Sequence, residues 1–120
     1  MLNVSTFFHP LTLLGDDGQQ VTLDALVDTG STFTSVPQSI LRELGVVPRR
    51  QVRLRPADGQ SHLQELGHVN VELDGLEGPT FVVFGAEGSP PVIGALTLEG
   101  FLFGVDPVEQ KLVPVIGWQA

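Results

Sequence analysis

The chain contains no cysteine. Neither a disulfide nor a thiolate nucleophile is therefore available to it, and it fits a reducing compartment. Positive charge is also scarce: six Lys and Arg stand against fourteen Asp and Glu, a formal net charge of −8. A surface of that sign repels a phosphate backbone, which excludes nucleic acid as the main partner. No apolar run is long enough to span a bilayer. The opening residues Met1-Leu2-Asn3-Val4-Ser5-Thr6 lack the basic start and long apolar stretch of an export signal. The expectation is a soluble, cytoplasmic protein with no membrane partner. His9, His62 and His68 come without HExxH spacing or a cysteine pair, so neither a metal site nor a cofactor is expected, and the three read as exposed or satisfied histidines. Asp16, Asp17 and Asp58 lie in glycine-bearing turns that do not match a calcium-binding loop. A P-loop, a dinucleotide fingerprint, internal repeats and low-complexity tracts are all missing.

What the chain has instead is fourteen Gly, nine Pro and many Val and Leu, the composition of short strands joined by tight turns. Its 120 residues suit one domain, 1–120, able to fold around its own core. Apolar alternation predicts strands at Leu2–Phe8, Gln19–Val27, Phe33–Val36, Gln51–Pro56, Ser61–Leu66, Val69–Leu73, Thr80–Phe84, Phe101–Val105 and Lys111–Ile116. A short helix is expected from Pro37 to Leu44, with Gly45 as its stop, and a helical turn over Ala95–Glu99, stopped at Gly100. Ala57-Asp58-Gly59-Gln60 is a hairpin signal, since Asp-Gly favours a tight primed turn, and Asp74-Gly75 closes the strand that ends at Leu73. The result is a small, mostly antiparallel β domain with one or two short helices.

One strand ends differently from the others. Val21, Leu23, Ala25 and Val27 share a face, and the run then breaks into Asp28-Thr29-Gly30-Ser31. A carboxylate there sits at the rim of a core. Gly30 turns the chain and admits a close backbone, and Thr29 and Ser31 supply hydroxyls to hold the carboxylate. An Asx-type turn is the plain reading of the tetrapeptide.

Its company changes that reading. Ala25-Leu26-Val27-Asp28-Thr29-Gly30-Ser31, the helix segment Ile40-Leu41-Arg42-Glu43-Leu44-Gly45-Val46, Val92-Ile93-Gly94-Ala95-Leu96-Thr97-Leu98-Glu99, and Val105-Asp106-Pro107 follow in order along nearly the whole chain. Together they resemble the single-domain, retroviral-type (retropepsin-like) aspartic proteases of the prokaryotic kind. The resemblance implies a mostly β, closed barrel-like acid-protease fold and an aspartic endopeptidase acting on a peptide or protein substrate. It departs from the retroviral pattern at Ala95-Leu96, where those members carry an Arg that supports the active-site region, and at Asp58, an acid near the tip of the flap.

Such hydrolysis needs two carboxyls about 3 Å apart that share one proton and flank a water. The chain has a single Asp-Thr-Gly, so the resemblance implies a homodimer in which Asp28 meets its counterpart at a two-fold axis. By the same resemblance Asp28 is the catalytic acid or base. Thr29 braces the two loops across the dimer, Gly30 and Ser31 hydrogen-bond the carboxylate, Ala57, Asp58 and Gly59 form the flap over the peptide, and Ile93 and Gly94 pack beneath the loop. The competing reading is a catalytically silent peptide-binding or structural module of the same fold. Arg49, Arg50, Arg53 and Arg55 hold four of the six basic residues and read as a solvated strand face ahead of a docking face. Trp118 is a candidate dimer anchor or a simple cap.

Overall fold

The computed structural model describes residues 6–56 and 59–120. Its strands are β1 (Phe7–Leu14), β2 (Gln20–Val27), β3 (Thr34–Pro37), β4 (Arg50–Leu54), β5 (His62–Leu73), β6 (Leu76–Gly85), β7 (Val92–Ile93), β8 (Phe103–Asp106) and β9 (Lys111–Pro114). The helices are α1 (Gln38–Glu43) and α2 (Ala95–Phe101). Seven strands form one sheet in the order β1-β2-β7-β3-β6-β5-β4, and β5 pairs again with β1. That second pairing bends the sheet into a ring of six strands and leaves β4 outside as a flange. Most ladders are antiparallel, but β2–β7 and β3–β6 are parallel. The hairpin β8–β9 stands as a separate two-stranded sheet.

Alternation explains which face closes inward. Leu11 and Leu13 of β1, Ala25 and Val27 of β2, Val71 and Leu73 of β5, Val36, Val82 and Ile93 are all fully buried and form one core. Each such Val, Leu or Ile side chain contributes roughly 1.5–3 kcal/mol of burial. α1 adds Leu41, and α2 adds Leu98.

Several expected boundaries move. The first strand begins at Phe7 and runs to Leu14, rather than over Leu2–Phe8, of which residues 2–5 lie outside the described residues. Pro10 is accommodated because β5 flanks β1 only at Thr12–Leu14, leaving one side of the strand free of a ladder there. The two expected strands Ser61–Leu66 and Val69–Leu73 are the single twelve-residue β5. Gly67 does not interrupt it. A Cβ there would lie 2.9 Å from the Val47 carbonyl oxygen and 3.1 Å from the Phe84 ring, so the glycine serves close packing. Gly100 does not stop α2. The helix continues far enough to pack Phe101 against the core and ends where Leu102 turns left-handed at φ 58°.

The hairpin turns split. At Asp74-Gly75 both residues have positive φ, 50° and 81°, and Leu73 faces Leu76, as a two-residue turn requires. Between β4 and β5 the register sets Leu54 opposite His62; a tight Asp58-Gly59 turn would have set it opposite Leu63. Pro56 lacks the N–H that continued pairing needs, so the ladder stops before it. Ala57 and Asp58 lie outside the described residues.

Candidate active site

β2 delivers Asp28 to the rim of the ring. Its backbone N–H donates to the Ile93 carbonyl at 3.0 Å, which ties the strand end to β7. One carboxylate oxygen, Oδ1, accepts the Gly30 N–H at 2.9 Å, and Oδ2 accepts the Ser31 hydroxyl at 3.3 Å. The Ser31 N–H returns to the Asp28 carbonyl at 3.1 Å and closes the turn. A Cβ on Gly30 would lie 3.2 Å from Asp28 Oδ1, so glycine lets the loop fold onto its own acid. The carboxylate is thus aimed and half-buried, with one side open. Thr29 is exposed, and no bond among the described residues uses its hydroxyl.

α2 clamps this loop from below. The first amides of a helix have no partners inside it. Here Gly94 N–H goes to Thr34 Oγ1, Ala95 N–H to the Ser31 carbonyl at 2.7 Å, and Leu96 N–H to the Thr32 carbonyl at 3.0 Å. Gly94 has no room for a side chain: a Cβ would collide with the Phe33 backbone and sit 2.9 Å from the Ser31 carbonyl oxygen. The backbone of α2 therefore grips the loop beside Ala95, the position at which the retroviral pattern places an arginine.

Asp28, Gly30, Ser31, Ile93 and Gly94 are brought together as one unit. Gly59 is not part of it; its N–H bonds the Pro56 carbonyl at 3.3 Å within the β4–β5 connection. Ala57 and Asp58, expected in the flap with it, lie outside the described residues. The unforeseen members are Thr34, Thr80 and Thr97, whose hydroxyls join β3, β6 and α2. A signal was present in the register: Thr34 alternates with buried Val36, so its hydroxyl needs a partner inside.

Asp28 continues a row on the face opposite the core. Phe8 faces Leu26, Leu26 faces Val92, and Val92 faces Ser35, across β1, β2, β7 and β3. Phe8 is 51% exposed, and Leu26 and Val92 are half-buried, so an apolar wall adjoins the carboxylate.

Behind the site, Glu87 accepts the Ser39 hydroxyl at 2.6 Å and the Ser39 N–H at 3.0 Å. It thereby fastens the loop before β7 to the first turn of α1. The Ser39 hydroxyl first, and its N–H second, hold the Glu87 carboxyl below its ordinary value of 4.5. The clasp is complete above that value and loosens as pH falls through the lowered one. No group of three metal-ligating side chains occurs among the described residues, and no described helix is long and apolar enough to cross a membrane. The four arginines are exposed, as a solvated face requires, and Trp118 is 100% exposed and caps no core.

Residues 11–99 match the aspartyl protease family. No curated protein matches the chain. Among solved structures, the retroviral protease-like domain of Ddi1 from Leishmania major superposes with a TM-score of 0.60 at 21% identity, covering 93% of this chain and 90% of that one. A retropepsin-like aspartic protease from Rickettsia conorii gives 0.53 at 20% identity, with 88% and 91% covered. A foamy viral protease–reverse transcriptase gives 0.59 at 16% identity over 83% of this chain, which spans only 12% of that longer one. The fold, a mostly β ring with two short helices, is that of the retropepsins.

Proposed function

The chain belongs to the aspartyl protease family, and from that premise we propose that it is an endopeptidase whose active site forms between two copies. The observation that carries this reading is the Asp28 loop: a half-open carboxylate held on both oxygens, by Gly30 N–H and Ser31 Oγ, in a chain with one Asp-Thr-Gly. One carboxyl cannot serve as base and acid at once. Two Asp28 side chains across a two-fold axis share a proton: the ionised one draws a proton from the water, and the protonated one polarises the scissile carbonyl. Thr29, exposed and without a partner among the described residues, would brace the opposite loop. The row Phe8–Leu26–Val92 favours peptides with apolar side chains beside the scissile bond. Gly59 and the two residues before it would close over the extended peptide and pair with it as a strand. The cytoplasm remains the proposed location.

Two measurements test this. The first is cleavage of a mixed peptide library, read by mass spectrometry, with product termini expected at apolar residues. The second is assembly. Sedimentation of the 12.9 kDa chain with a non-cleavable peptide should give about twice the chain mass. Val115, Ile116 and Trp118, exposed at 45%, 91% and 100%, supply apolar surface for a second copy to cover. A strict monomer in the presence of peptide contradicts the two-copy site.

A further inference from the structure

Beneath the Asp28 loop the core is not wholly apolar. Thr34 and Thr97 are the buried polar side chains of the described residues, 0% and 1% exposed. Thr97 Oγ1 on α2 lies 2.5 Å from Thr34 Oγ1 on β3 and 2.6 Å from Thr80 Oγ1 on β6. Thr34 Oγ1 accepts the Gly94 N–H at 3.1 Å, and the Thr80 hydroxyl donates to the Phe81 carbonyl at 3.4 Å. One proton assignment gives every hydroxyl an acceptor. Gly94 N–H donates to Thr34, Thr34 to Thr97, Thr97 to Thr80, and Thr80 to the Phe81 carbonyl. The reverse order leaves the Thr34 proton with no described acceptor in a site closed to water. Bonds aligned head to tail strengthen one another.

The inner end of this chain of hydroxyls is the amide that starts the clamp. Gly94, Ala95 and Leu96 donate in succession to Thr34 Oγ1, the Ser31 carbonyl and the Thr32 carbonyl. The Asp28 N–H hangs from Ile93, one residue before. The position of the Thr34 oxygen therefore sets where the clamp meets the loop, and Thr97 holds that oxygen from α2.

We propose that Thr97 is a positioning residue for the catalytic loop. Its hydroxyl, bridging Thr34 and Thr80, holds the Gly94–Leu96 amides against residues 28–32 and takes over the support that an arginine after Gly94 would give. This rests on the reading of Asp28 as a catalytic carboxyl.

The test compares Thr97→Val, nearly the same shape without the hydroxyl, with Thr97→Ser, which keeps it. Amide exchange, kcat, KM and the thermal midpoint are measured for each. In Thr97→Val, exchange at Gly94, Ala95 and Leu96 should quicken by about tenfold or more while the β5–β6 ladder is unchanged. kcat should fall on the order of ten- to a hundredfold, with KM within about twofold, because the loop is displaced while the binding wall is intact. Thr97→Ser should restore both. Exchange that rises evenly through β5 and β6 would reduce Thr97 to a general stabiliser and overturn the proposal. So would unchanged exchange and kcat in Thr97→Val. Should that variant fail to fold, Thr80→Val removes the outer link from a half-buried position and carries the same expectation at smaller amplitude. If the wild type cleaves no peptide, the protease reading falls, and exchange at Gly94–Leu96 still decides whether Thr97 holds the loop.

Discussion

Asp28→Asn should abolish peptide cleavage and leave the fold intact. An amide oxygen can still accept the Gly30 N–H, and the amide nitrogen can donate to the Ser31 hydroxyl, so both loop bonds survive the change. What disappears is the proton traffic. A pair of amides holds no ionised base for the water and no acid for the carbonyl. General acid–base groups contribute roughly 10²–10⁴-fold each, and groups that act as one unit lose nearly everything together. A fall of at least about 10³-fold is expected, to background. The thermal midpoint should stay within about 4 °C, roughly 1 kcal/mol for a chain of this size. The check is library cleavage by both proteins from acid to neutral pH, with melting curves alongside. Cleavage that survives Asp28→Asn sinks the mechanism. Silence in both proteins, with the dimer present, favours the non-catalytic module.

The largest structural effect is expected at Gly94. Its backbone, φ −94° and ψ 176°, is open to any residue, so strain in the dihedrals is not the issue. Space is. A Cβ would meet the backbone of Phe33 and the Ser31 carbonyl oxygen, and backbone cannot rotate aside as a side chain does. Gly94→Ala should cost about 2–3 kcal/mol, the upper range for overpacking, and lower the melting midpoint by roughly 10 °C. It should also pull the Ala95 and Leu96 amides from the loop and reduce cleavage in the protein that remains folded. Gly100→Ala is the control. No atom lies within 4 Å of its Cβ position and it sits inside α2, so the change should be neutral or stabilise by up to about 1 kcal/mol. Equal melting of the two variants would contradict this account of the clamp.

The Asp28 loop was legible because its chemistry is local. Asp28, Gly30 and Ser31 satisfy one another within four residues, and the alternation of Val21 to Val27 points to where the strand must end. The clamp was half legible. Ile93 and Gly94 announce a tight approach, but the partners of the Gly94, Ala95 and Leu96 amides are some sixty residues away in the chain, and no periodicity encodes that. The same dipeptide shows the limit from another side. Asp74-Gly75 makes a two-residue turn, while between β4 and β5 the register sets Leu54 opposite His62, one residue short of what a two-residue turn would give. Turn chemistry acts only where both flanking strands can donate. Gly100, expected as a stop yet inside α2, has the same cause: a sequence shows that a side chain is missing, and only packing shows what fills its place.

The ring of strands also bears on how two copies can meet. Every strand of the ring has at least two neighbours, whereas β4 pairs with β5 alone, so its outer row of N–H and C=O groups is a ready template for another chain. That edge carries Arg50 and Arg53, with Arg49 and Arg55 at its ends, all exposed. In a protein of net charge −8, this concentrates cations on a strand that invites β-sheet growth. Two such flanges laid side by side would oppose four positive charges to four. Arginines so placed would act as gatekeepers against filament-like stacking through β4. Neutralising them, by Arg50→Gln and Arg53→Gln together, should expose that tendency as concentration-dependent light scattering at neutral pH while the melting midpoint holds.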